Sequence, residues 1–214
     1  SGGLAIVIAF TVSTLVFMPQ IVQVQLLAQS YLEYVWPVVL GGLIIAATGL
    51  IDDVRELSPA LKMSGIVLAA SLIWVLTDFR LDDFKIPFGG PFLHFAPWLS
   101  YILTVIWIIS ITNAVNLIDG LDGLVSGVSI ISLVTMGIVS YFFLPGHHLF
   151  LTLTIFVLVM SIAGFFPYNY HPAIIYLGDT GALFIGFMIA VLSLQGLKNA
   201  TAVAVVTPMI ILGV

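Results

Sequence analysis

Residues 98–143 read WLSYILTVIWIISITNAVNLIDGLDGLVSGVSIISLVTMGIVSYFF. Two apolar runs, 98–114 and 123–143, flank a short polar segment that holds Asn116, Asp119 and Asp122. Runs of this kind approach the ~20 residues that a helix needs to cross a bilayer core. Backbone amides in lipid must be satisfied within the segment, so the runs read as helices and not as open strands. Polar residues gathered at the junction of two such helices then belong to a membrane surface.

The pattern extends over the whole chain. Apolar stretches fall at about 3–18, 35–51, 59–77, 98–114, 123–143, 149–166, 181–195 and 200–214. The 214 residues are 61% hydrophobic and 7% charged, against about 25% charged in a soluble domain, and the mean hydropathy is +1.25. The expected fold is all-α, a polytopic transmembrane helical bundle of about eight helices forming a single membrane-embedded domain over 1–214. The chain opens on SGGLAIVIAF and ends inside an apolar run, TPMIILGV, as expected of a fragment lacking both ends of a longer protein. The opening has no basic n-region and is not a signal peptide. There is no cysteine, which excludes disulfides and thiolate metal sites, and five basic residues cannot build a nucleic-acid surface.

Successive loops must alternate sides. Loops 52–58, 115–122 and 167–180 share one face, and 19–34, 78–97, 144–148 and 196–199 share the other. Trp36, Trp74 and Trp98 then lie towards the second face as an interfacial belt, while Trp107 reads as packed within the bundle. The first face collects Asp52, Asp53, Asp119, Asp122 and Asp179 from three distant segments. Segment 78–97, with FRLDDFKIPFGG, reads as a short hairpin lying on the opposite, extracellular surface. Arg55 and Lys62 on the acidic face are outnumbered by Arg80, Lys85 and Lys198 on the other, a weak lean against a cytoplasmic acidic face.

Each acidic motif has two readings. Adjacent Asp52 and Asp53 repel unless a cation lies between them, which a divalent ion would supply; alternatively they end a helix with Arg55 as counter-ion. Asp119 and Asp122, three apart, share a face if helical. Gly120 and Gly123 admit a ligand close to the backbone, and apolar Leu117, Ile118 and Leu121 anchor the segment to the bundle. Otherwise it is a polar turn. Asp179 precedes a helix, so it is either a ligand or an N-cap, and Gly181, Ala182 and Gly186 permit close helix packing. Lys62 sits in the first turn of a helix that Ser58 can cap and Pro59 can open. It either meets an anionic phosphate or snorkels to the surface. His94, His147 and His148 lie away from the acids, and His171 reads as a loop residue. Together these point to a magnesium-dependent, membrane-embedded site for a phosphorylated substrate.

Four stretches, GGLAI, GLIDDVRELSPALK, NAVNLIDGLDGLVSG and NYHPAIIYLGDTGALFIGF, resemble the polyprenyl-phosphate N-acetylhexosamine-1-phosphate transferases of bacterial membranes (glycosyltransferase family 4). The likeness runs in order along essentially the whole chain. SLQGLKNATAVAV is most similar to the members that start wall teichoic acid linkage units. The resemblance implies that undecaprenyl phosphate attacks the β-phosphate of UDP-N-acetylglucosamine and UMP leaves. UDP-MurNAc-pentapeptide is the alternative donor, and a cation-coupled transporter the alternative class.

By the same resemblance Asp179 holds Mg2+ (or Mn2+), and Asp52 and Asp53 form a catalytic pair. Asn116, Asp119, Asp122, Asn169 and Tyr176 line the nucleotide site, with Tyr176 stacking on uracil; Lys62, from its place at a helix start, is the expected phosphate contact. The acidic face is then cytoplasmic in a multi-pass bacterial plasma-membrane protein, and a homodimer is expected. The family's histidine-rich loop and its basic segment before GGLAI have no counterpart in this sequence.

Overall fold

The computed structural model describes residues 1–21, 25–85, 92–143 and 149–199. Its elements are α1 (Gly3–Val12), a π-helical turn (Ser13–Phe17), α2 (Met18–Ile21), α3 (Gln25–Arg55), α4 (Pro59–Leu76), β1 (Asp83–Lys85), β2 (Phe92–His94), α5 (Pro97–Ile118), α6 (Leu124–Phe143), α7 (Leu149–Asn169) and α8 (Gly178–Asn199). Seven helical spans among the described residues are long and apolar enough to cross a membrane. The protein is a polytopic helical bundle. The expected eighth helix, 200–214, lies outside the described residues.

Helix ends depart from the sequence reading in a consistent way. α3 begins at Gln25 rather than near 35 and carries Asp52 and Asp53 in its last turn; α5 runs on through Asn116 to Ile118. Hydropathy marks where the chain leaves the apolar layer. The i→i−4 ladder has no reason to stop there, since it satisfies the backbone amides of the polar residues beyond the apolar layer as well. The loops on the acidic face shrink accordingly. Ser58 accepts from the Leu61 amide at 3.4 Å ahead of Pro59, the expected opening of α4.

α8 forms the middle of the bundle. Within its spanning window 83% of residues are buried, against 22% in α4, as befits a helix apolar on all sides. It packs against α3 and α5 and also touches α1 and α6; α6 pairs with α7, and α4 bridges α3 and α5. Small residues set the distances. A Cβ added to Gly49 of α3 would lie 2.6 Å from the Thr180 Cα, so only glycine lets these backbones meet. Gly3 meets the Gly181 backbone in the same manner, and Gly186 lies against Thr112.

The opposite end carries the hairpin: β1 and β2 pair antiparallel, with Asp83 opposite His94 and Lys85 opposite Phe92. Arg80 lies over the Trp74 ring and pairs with Asp78 and Asp82, so these charges are engaged far from the acidic face. Trp107 is packed inside, its indole N–H donating to Ser193 Oγ at 3.1 Å, while Trp36 and Trp98 are exposed.

Candidate active site at one end of the bundle

The last turn of α3, the first turns of α4 and α8, and the C-terminal end of α5 converge. Adjacent residues on a helix point about 100° apart, so Asp52 and Asp53 face different neighbours. Asp52, 6% exposed, accepts from the Leu57 amide at 2.6 Å and forms an ion pair with Lys62. Lys62 Nζ also lies 3.4 Å from Asp179 Oδ1, which accepts from Asn116 Nδ2 at 2.5 Å. Lys62 therefore bridges two carboxylates instead of snorkelling away from the site. Asp179 is not the N-cap of its own helix. Asp53 takes that place, accepting from the amides of Asp179 (2.8 Å) and Thr180 (3.2 Å) and from Thr180 Oγ1 (2.6 Å).

Asp119 ends α5 in a non-helical conformation, φ −75° and ψ 48°. Burial, then the Asp179 and Asp53 charges, push its pKa up to about 6. Asp122 does not share its face. It turns to the α7–α8 loop, where it accepts from the Ala173 amide at 3.1 Å and meets His171 Nδ1 at 3.0 Å. The Ala173 amide, then His171, hold its carboxyl below the usual range.

Asn169 is buried in that same loop, accepting from Ser126 Oγ and donating to the Ile175 carbonyl at 3.2 Å. Gly2 and Gly3 amides bind the carbonyls of Tyr176 and Leu177, each at 2.9 Å. The loop is thus fastened on three sides, and the Tyr176 ring, 69% exposed, is left outward. Leu117 and Leu121 are 84% and 70% exposed and do not anchor the α5–α6 segment as expected; half-buried Ile118 faces the bundle instead. Once α5 continues to Ile118, its period turns Leu117 outward.

Thr180 and Ser126 are the polar contacts that the sequence reading did not weigh. Thr180 stands in the DTG motif, but nothing local shows that its partner comes from α3.

Among the described residues, no three His, Cys, Asp or Glu groups lie close enough to hold a metal by themselves. Mg2+ asks for less, one or two carboxylates completed by waters and substrate phosphates. Asp179 and Asp119 are carboxylates of that number, and Asp119 is raised by burial first and by the Asp179 and Asp53 charges second.

This shift yields a pH prediction. A carboxyl raised from 3.8 to about 6 contributes stability below about pH 4 that is lost as pH rises through 6. The melting temperature of wild type minus that of Asp119→Asn, without divalent metal, should therefore fall between pH 4.5 and 7.5. A gap constant across that range would refute the assignment.

Fold and site together define an integral membrane protein with one anionic, lysine-bearing site at a single end of its helices. The chain belongs to glycosyl transferase family 4, whose sequence model matches residues 35–197. It is 41% identical over 178 residues to a probable undecaprenyl-phosphate N-acetylglucosaminyl 1-phosphate transferase of Bacillus subtilis, covering 83% of this chain and 48% of that protein. It is 32% identical over 201 residues to a phospho-N-acetylmuramoyl-pentapeptide-transferase of Staphylococcus epidermidis, covering 86% and 61%. The chain therefore spans about half to three-fifths of the length of these relatives.

Proposed function

We propose that the protein transfers N-acetylglucosamine 1-phosphate from UDP-N-acetylglucosamine to undecaprenyl phosphate in the bacterial plasma membrane, with the acidic end of the bundle in the cytoplasm. A phosphate oxygen of the lipid forms a bond to the β-phosphorus of the nucleotide sugar. The bond from that phosphorus to the bridging oxygen breaks, and UMP leaves. The observation that carries this reading is the cluster of Asp52, Lys62, Asn116, Asp119 and Asp179, drawn from four helices to one membrane face in a chain of this family. A transporter would place its carboxylates along a path near mid-membrane. Here they stand at helix ends.

Each residue has a task consistent with its contacts. Lys62, balanced between Asp52 and Asp179, offers a cation to phosphate. Asn116 fixes the Asp179 carboxylate. Asp179 and Asp119 would hold Mg2+, which supplies charge neutralisation as the two anionic substrates approach. Tyr176, exposed on its fastened loop, would stack on the uracil ring. The lipid product would serve cell-wall polymer synthesis, the first step of a teichoic acid linkage unit in particular, and the protein would act as a homodimer.

UMP release by purified protein with a panel of UDP-sugars tests the reading. Turnover of UDP-N-acetylglucosamine is expected. Turnover of UDP-MurNAc-pentapeptide alone would move the protein to the second group of relatives, and no UMP from any donor would reject the reading. Orientation has its own test. A cysteine in place of Asp83, in β1, should react with a membrane-impermeant thiol reagent applied to intact cells. Labelling only after permeabilisation would invert the topology.

A further inference from the structure

We infer that Asp53 is a positioning residue. It caps the N-terminus of α8 from a different helix and so sets where Asp179 presents its carboxylate. The inference rests on the transferase reading and concerns one residue within it.

Four observations carry it. The first amides of any helix lack partners within it, and the residue before Gly178 is Leu177, which cannot cap. Asp53 supplies the missing acceptors, taking the Asp179 amide at 2.8 Å, the Thr180 amide at 3.2 Å and Thr180 Oγ1 at 2.6 Å. The backbone is shaped around this contact. Gly178 has φ +71°, and a Cβ there would lie 3.0 Å from both Asp53 oxygens; Gly49, one turn earlier in α3, lets the two backbones touch. Finally, Asp179 is held by three helices at once: its amide by Asp53 of α3, its carboxylate by Lys62 of α4 and Asn116 of α5.

A carboxylate has about four acceptor positions, and three donors already occupy those of Asp53. Little capacity is left to take a proton from substrate. The attacking group, a phosphate monoester, is already anionic near neutral pH and needs no base. Asp53 acts through Asp179, by fixing the first turn of α8.

A double-mutant cycle between Asp53 and Thr180 tests this, read out as kcat/KM for UMP release, its pH profile, and Mn2+ binding to substrate-free protein by electron paramagnetic resonance. Thr180→Val keeps shape and removes one donor. It should lower kcat/KM about tenfold and weaken Mn2+ binding by a similar factor, and Thr180→Ser should restore both. Asn caps helices nearly as well as Asp, so Asp53→Asn should keep measurable activity with both limbs of the wild-type pH profile. Adding Thr180→Val to it should cost less than a further ~3-fold, because both changes break one contact.

Fully multiplicative losses, wild-type behaviour of Thr180→Val, or a missing pH limb in Asp53→Asn would overturn the inference. If Asp53→Asn does not fold, the Thr180→Val and Thr180→Ser pair decides. If wild type releases no UMP the transferase reading fails, and Mn2+ binding by the Thr180 variants still judges the positioning.

Discussion

Asp179→Asn should lower kcat/KM for UMP release by about 1,000-fold or more, ~4 kcal/mol of transition-state stabilisation. The fold should survive. Asparagine keeps an oxygen for the Asn116 amide, the backbone amide still meets Asp53, and Lys62 retains Asp52 as its partner. What disappears is the charge that, beside Asp119, suits a divalent ion. Mn2+ binding to the substrate-free variant should fall in parallel, while the melting temperature shifts little. Magnesium-dependent turnover at near wild-type rates in this variant would remove Asp179 from the proposed metal site.

Lys62→Met should produce the second largest effect, on two separable readouts. Met retains much of the aliphatic stem and removes the ammonium group. Asp52, only 6% exposed, then keeps its charge and the Leu57 amide but loses its cation. Breaking a fully buried ion pair costs roughly 3–5 kcal/mol. Lys62 is 22% exposed, so about 2 kcal/mol is a fairer figure here, a fall of roughly 5 °C in melting temperature for a chain of this size.

Activity should drop about 100-fold if Lys62 also receives a substrate phosphate, ~2.7 kcal/mol in the transition state. Adding Asp52→Asn separates the two roles. The double variant loses the orphaned charge and keeps an acceptor for the Leu57 amide, so its stability should recover. Its activity should not. Recovery of both would make Lys62 a structural counter-ion only.

The acids show how far local sequence carries. Asp52, Asp53, Asp119, Asp122 and Asp179 could be assigned to one face by counting membrane crossings, and the structure places them there. Their roles were less legible. Asp119 and Asp122 stand three apart in a motif that suggests a shared helical face, yet α5 ends between Ile118 and Asp119 and the two side chains part company. Asp179 looks like an N-cap because it stands where caps stand, yet the cap comes from α3, 126 residues earlier. Lys62 reads equally well as a phosphate contact or a snorkelling lysine until Asp52 and Asp179 appear on either side of it.

A bundle of membrane-crossing helices, polar motifs gathered at one end and a short hairpin at the other all follow from the order of residues. The reason is the solvent: hydrocarbon requires every spanning backbone amide to be satisfied within its helix, and the bilayer's thickness makes loops alternate sides. Which donor each carboxylate meets is settled by how the helices pack. That depends on where each helix ends, on the ~100° between successive side chains, and on how closely α3 and α8 approach at Gly49. These are consequences of packing between segments far apart in the chain, and no local pattern encodes them.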